Sequence, residues 1–268
     1  MLLDLYIIYF LAILPAIFIV IYVYNKDQFP EDKSEVIITF LLGTSIVLFL
    51  DLLIPITEAF NDAFFDGYGN IAFMQYFRAA TLEETLKFLV VYYYAYRLKN
   101  FDEPMDAIVF AVAASLGFAA VENIDYVWSG ETQQEAIDIA FLRAFSAIPL
   151  HALCGVIMGL FFGLAVFGEK NNKRNLFLAL LLPIAIHGSY NFILSTIGGG
   201  MLIYVFLIAL LIKASKIFTS LAVDQEIRGE ESLQKRYDIN HTEIYMNVLK
   251  ITGIIIILVI SIEVFTGN

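Results

Sequence analysis

Apolar residues run along this chain in long stretches broken by short polar joints, without the strict alternation of a half-buried strand. Eight stretches approach the roughly 20 apolar residues that carry a helix across a bilayer. They are Leu3–Tyr24, Val36–Ile56, Thr81–Tyr96, Met105–Trp128, Phe141–Phe167, Leu176–Ser195, Met201–Leu221 and Ile244–Phe265. The pattern predicts an all-α polytopic membrane protein of about eight transmembrane helices, built as a single transmembrane domain over residues 1–268. The first stretch has no basic lead and carries Asp4 ahead of its apolar run, so it reads as a retained span, not a cleaved signal.

The joints set the expected orientation. Lys26, Lys33, Arg97, Lys99, Lys170, Lys173, Arg174, Lys213, Lys216, Arg228, Lys235 and Arg236 flank odd-numbered joints, against Arg78 and Arg143 beside the even ones. Basic residues gather on the cytoplasmic side, so both termini are expected outside the cell. The joint over 58–80 mixes acids with aromatics, as a segment lying at the outer interface does. The one over 130–138 is short and acidic, Gly198–Gly200 reads as an outer turn, and a charged cytoplasmic loop is expected at about 224–241.

Composition sharpens this reading. Of 268 residues, 60% are hydrophobic and 16% charged, and the mean hydropathy is +0.77. A soluble domain carries about 45–50% apolar and about 25% charged residues, so a soluble fold and a disordered chain are both excluded. The net charge of −11 argues against a nucleic-acid partner. A lone cysteine, Cys154, excludes an intrachain disulfide and a cysteine-based zinc framework.

Ionisable side chains within spans are costly and mark function or internal pairing. Glu83 and Lys87 lie four apart on one helix face, with Glu84 about 100° round. Glu122 and Asn123 lie towards the end of the fourth span, His151 in the fifth, and His187 with Asn191 four later in the sixth. Alternating span direction brings all of them to a similar depth in the outer half of the membrane. Such a set supports two routes to hydrolysis of a carbonyl compound. A glutamate can take a proton from water while histidine and asparagine donors stabilise the oxyanion. Alternatively, two histidines and a glutamate can hold zinc and activate water there. Two carboxylates beside one lysine leave excess negative charge that a divalent cation would balance, which tips the expectation towards metal. HExxH, GxSxG and GxGD signatures are absent. A non-catalytic scaffold or chaperone for partner helices, or an ion-coupled transporter, would also use buried polar groups.

The motifs EETLK (83–87), FAAVEN (118–123), HALCG (151–155) and HGSYN (187–191), in this order on successive spans, resemble the PrsW family of intramembrane proteases. That family is related to the type II CAAX prenyl endopeptidases. The resemblance covers about 80–193 and implies an intramembrane endopeptidase. It implies site-1 cleavage of a single-pass, anti-sigma-factor-like protein at the extracytoplasmic side of the cell membrane. Carried across residue by residue, it implies Glu83 and Glu84 as the catalytic pair, Lys87 setting their charge, and Glu122 as a third acid. His151 and His187 would be metal ligands or transition-state donors, with Glu84 and Glu122 as further ligands to Zn2+. Asn191 stands where relatives carry aspartate, and an amide there is the better oxyanion donor.

Overall fold

The computed structural model of the chain describes residues 2–198 and 236–266, with scattered positions between 205 and 221. Among the described residues there is no strand. The helices are, in order, α1 (Leu2–Tyr24), α2 (Lys33–Phe64), α3 (Gly67–Ala72) and α4 (Leu82–Tyr93), the last two joined by a π-wound stretch, Phe73–Thr81. Then come α5 (Pro104–Trp128), α6 (Gln133–Ala144), α7 (Ala147–Phe167), α8 (Asn172–Ile197) and α9 (His241–Thr266). This is an all-α, multi-pass integral membrane protein.

Five helical runs are long and apolar enough to cross a membrane: α2, α5, the run Gln133–Phe167, α8 and α9. The first expected span coincides with the apolar helix α1, Leu2–Tyr24, and the third is helical only as part of the α3–π–α4 composite. The seventh span and the loop at 224–241 lie largely outside the described residues. The five runs correspond to the second, fourth, fifth, sixth and eighth expected spans.

The fifth expected span is broken at Phe145–Ser146. Pro149 has no N–H to give the Phe145 carbonyl, so a continuous ladder fails there. The Ser146 hydroxyl turns back to the Leu142 carbonyl instead (2.7 Å), and α7 starts afresh.

The axis of the bundle is α5. It is 83% buried over its most apolar stretch, against 22% for α2 and 17% for α9. Small residues make that possible. Gly155, Gly159 and Gly163 form a stripe on α7, and a Cβ at any of them would run into the α5 backbone at Val112, Ile108 or Pro104. Without water to drive association, helices in a bilayer gain from such backbone-to-backbone approach. The faces of α1, α2 and α9 turned from the bundle expose Phe10, Phe18, Leu52, Ile257 and Phe265, as lipid-facing surfaces do. The direction of α4 and α7 is opposite to that of α5 and α8, so the start of the first two meets the far end of the others.

Candidate active site

Four elements supply the polar groups. Glu83, Glu84 and Lys87 sit in the first two turns of α4, immediately after the π-wound stretch. Extra residues of this kind re-aim side chains and recur at functional sites. Here the Thr81 hydroxyl donates to the Tyr76 carbonyl five residues back (2.7 Å). Tyr76 in turn hydrogen-bonds Ser189 (3.0 Å), and its ring fills the space that a Cβ at Gly188 would need. That contact seats the π-wound stretch, from which α4 continues, against α8 beside His187.

The cluster centres on Lys87, which is wholly buried. Its Nζ donates to Glu84 Oε1 (2.7 Å), lies 3.5 Å from Glu83 Oε2, and meets His151 Nδ1 at 3.1 Å. It also stands over the Phe118 ring, 4.3 Å from the centroid. His187 Nδ1 reaches the same Glu84 Oε1 (2.9 Å) and lies 3.9 Å from Glu83 Oε2. The two imidazoles meet edge to face, with centroids 5.1 Å apart. His151 Nε2 meets Glu122 Oε2 at 3.0 Å, and the Ser115 hydroxyl on α5 donates to the His151 carbonyl (2.7 Å). Glu83, Glu84, Lys87, His151 and His187 are all buried.

Two cavities border this cluster. One, of about 360 Å³, is lined by Glu122, Arg143, His151, His187 and Asn191 with apolar groups of α6 to α8. The other, of about 330 Å³, is lined by Glu83, Glu122 and Arg78 with Asp51 and Asp125. The sequence-predicted residues thus come together, each in a distinct place. Glu84 and Lys87 lie behind the cavity walls, while Glu83 and Glu122 reach the second cavity. Asn191 lines the first beside His187 but makes no hydrogen bond to the cluster among the described residues.

Donors for a metal ion are present. Glu83, Glu84, His151 and His187 each offer one ligand atom within 4.8 Å of the others. Glu83 Oε2 and Glu84 Oε2 are shielded from solvent and accept no hydrogen bond. Two imidazoles with carboxylate oxygen is the donor chemistry of catalytic zinc, so these residues fit a divalent ion. Glu122 lies outside the four, engaged with His151.

The chain matches the profile of the PrsW family intramembrane metalloproteases over residues 31–214. It belongs to that family. Similar curated proteins include the Protease PrsW of Oceanobacillus iheyensis, 39% identical over 184 residues, covering 68% of this chain and 80% of the relative. The Protease PrsW of Bacillus subtilis is 34% identical over 188 residues, covering 69% and 82%. That of Clostridioides difficile is 33% identical over 190 residues, covering 70% and 79%. No solved structure matches. Family membership makes the chain an intramembrane metalloprotease, and the scaffold and transporter readings of its polar set fall away.

The sequence reading passed over Arg143, which entered only as a basic residue flanking the outer side. Its guanidinium bonds Glu122 Oε2 (2.6 Å) and Asn123 Oδ1 (2.5 Å). A signal was there: an arginine inside an apolar run, eight residues before a histidine, needs an internal partner. Arg78, also read only as a flank, lines the second cavity with Glu83.

Proposed function

We propose that the chain hydrolyses a peptide bond of a single-pass, anti-sigma-factor-like membrane protein near the extracytoplasmic face. The orientation, with both termini outside, is supported by the basic residues flanking the odd-numbered joints. The chain acts as one transmembrane domain over residues 1–268, with its catalytic core at about 80–193 and a cytoplasmic loop at about 224–241. The observation that carries the reading is the meeting of two glutamates and two histidines within 4.8 Å where two cavities abut.

Glu83 is the general base. Its side chain lines the second cavity, so its carboxylate can meet a water there. It takes the water's proton as the oxygen adds to the scissile carbonyl carbon, and returns it to the leaving amine. Glu84 anchors Lys87 and His187 through one oxygen. The ammonium of Lys87 keeps the carboxylate pair tolerable in a low-dielectric interior. Asn191, on the wall of the first cavity, offers its amide N–H to the carbonyl oxygen as negative charge develops there. His151, His187 and Glu84 would hold the metal, with Glu122 behind His151. A bound Zn2+ supplies Lewis acidity and a better nucleophile near neutral pH.

The test uses the purified chain in a bilayer with a single-pass anti-sigma-type substrate, and mass analysis of the fragments. Cleavage near the extracytoplasmic end of the substrate span is expected. A strong chelator should abolish it and zinc restore it, with elemental analysis following metal content in parallel. Cleavage at the opposite face would overturn the orientation. Full activity in rigorously metal-free protein would overturn the metal-assisted route.

A further inference from the structure

We propose that Arg143 is a positioning residue of this active site: acting through Glu122, it fixes the His151 ring with Nδ1 turned to the centre of the cluster. The inference rests on the hydrolytic reading above and adds a residue that the motifs do not contain.

Arg143 stands in the last turn of α6, on the wall of the first cavity, with its side chain 13% exposed. Three groups on one face of α5 hold its guanidinium. Nη2 donates to Glu122 Oε2 (2.6 Å), Nε donates to Asn123 Oδ1 (2.5 Å), and Cζ lies over the Tyr126 ring, 3.8 Å from its centroid. Asn123 is itself tied down, since its Nδ2 donates to the Ala12 carbonyl on α1 (3.0 Å). A planar fork that bonds two acceptors and stacks on an aromatic ring is a role that lysine, a point charge on a flexible stem, fills only in part.

The consequence reaches His151 through a shared atom. Glu122 Oε2 takes both the arginine and His151 Nε2 (3.0 Å). An ionised carboxylate only accepts, so Nε2 carries the proton in that bond. On the other side of the ring, Nδ1 faces Lys87 Nζ at 3.1 Å, and an ammonium only donates. The two neighbours therefore impose the same neutral tautomer, with the Nδ1 lone pair turned to Lys87 Nζ at the centre of the cluster. Partners of this kind behind a histidine fix its tautomer and orientation, and their loss typically costs about 10–100-fold in metal affinity or activity. Without Arg143, the Glu122 carboxylate would face Glu83 across the second cavity with no cation bonded to it, and would be free to leave His151.

The experiment compares wild type, Arg143→Gln, Arg143→Lys, Glu122→Gln and the double variant Arg143→Gln/Glu122→Gln, each as the full chain in a bilayer. A single-pass anti-sigma-type substrate is the probe. For Arg143→Gln, kcat should fall about 10–100-fold with KM within about twofold, and Arg143→Lys should recover part of the loss. The double variant should be no worse than Glu122→Gln alone, because one path carries both effects. The chain has only three histidines, so nitrogen NMR on histidine-labelled protein reads the His151 tautomer directly. Wild type should give a single Nε2–H form, and Arg143→Gln the same form with its Nε2 resonance shifted as the Glu122 bond loosens. If Arg143→Gln does not fold, Arg143→Lys carries the same kinetic and NMR comparison, with the smaller change expected of a retained charge. An unchanged kcat, additive losses, or an unshifted His151 Nε2 resonance would overturn the inference. Equal cleavage by wild type, Glu83→Gln and Glu84→Gln would instead overturn the reading beneath it.

Discussion

At its N-terminal end α5 brings Asp106 beside Glu103 and Asp27, three buried carboxylates with oxygens within 4.8 Å of one another. At its other end it carries Glu122 up to Glu83, Glu84, His151 and His187. Both ends collect acids in a protein interior, yet their partners differ. Asp106 Oδ2 accepts from the backbone N–H groups of Asp102 (2.8 Å) and Glu103 (2.9 Å), closing a capping box at the start of α5. Asp27 Oδ1 accepts from the Phe29 N–H (3.0 Å) in the turn after α1. These acids satisfy backbone donors that a helix start and a tight turn leave open. At the far end the partners are ionisable side chains from several helices. Burial of acids does not by itself mark a reactive site. What marks it is a set of partners that backbone geometry does not call for.

The sharpest way to break that comparison is to neutralise one acid at each end. Glu83→Gln should lower cleavage at least about 100-fold, since an amide cannot act as a base. The melting temperature should move little, because Lys87 stays paired with Glu84 (2.7 Å) and the change removes one of two buried carboxylates that share a single ammonium. Asp106→Asn should do the reverse, costing about 1–2 kcal/mol as a weakened cap and leaving kcat of the folded protein as it was. Parallel cleavage and thermal unfolding measurements read both. An inactive but fully stable Asp106→Asn protein would erase the distinction between the two ends.

An effect mixed in kind is expected at Lys87. Lys87→Ala strips the cation from two buried carboxylates, which costs about 3–5 kcal/mol when one partner of a buried pair is removed. Activity should fall with it. Adding Glu84→Gln to Lys87→Ala should recover stability, since the second change removes a charge left unpaired, while activity stays lost. A double variant less stable than Lys87→Ala alone would show that packing, and not charge, dominates at this position.

Much of this was readable in the chain. Apolar run length gave the all-α membrane class, and alternating span direction gave the shared depth of Glu83, Glu84, Glu122, His151 and His187, which the structure brings into one network. The limits have physical causes. Period and hydropathy do not register a π-wound stretch, so the helix carrying Glu83 was expected to start at Thr81 although it continues back through Phe73 to Gly67. The missing N–H of Pro149 was hidden inside an otherwise unbroken apolar run, which fused α6 with α7. Arg143 was counted as a charge relative to the bilayer, and that count ignores what the guanidinium bonds. Likewise the capping role of Asp106 depends on the backbone of Asp102 and Glu103 curling towards it, a local geometry that no apolar pattern reports.

The smallest effect sharpens the comparison through pH. Glu31 lies in the turn between α1 and α2, near Asp27 and outside the spans, and is buried. Burial foremost, then the neighbouring Glu35 carboxylate, raises its pKa from the ordinary 4.5 to about 8. Between those two values the folded chain keeps a proton that the unfolded chain has released. Rising pH therefore favours unfolding across that window. The stability contributed by the protonated form is complete below about pH 4.5 and lost as pH passes about 8. The melting temperature should decline between those limits in wild type. Glu31→Gln cannot ionise, so its decline should be shallower. Glu83→Gln, at the opposite end of the bundle, should keep the wild-type slope in this turn's contribution. Identical slopes in wild type and Glu31→Gln would mean that the turn opens to water before the helices part.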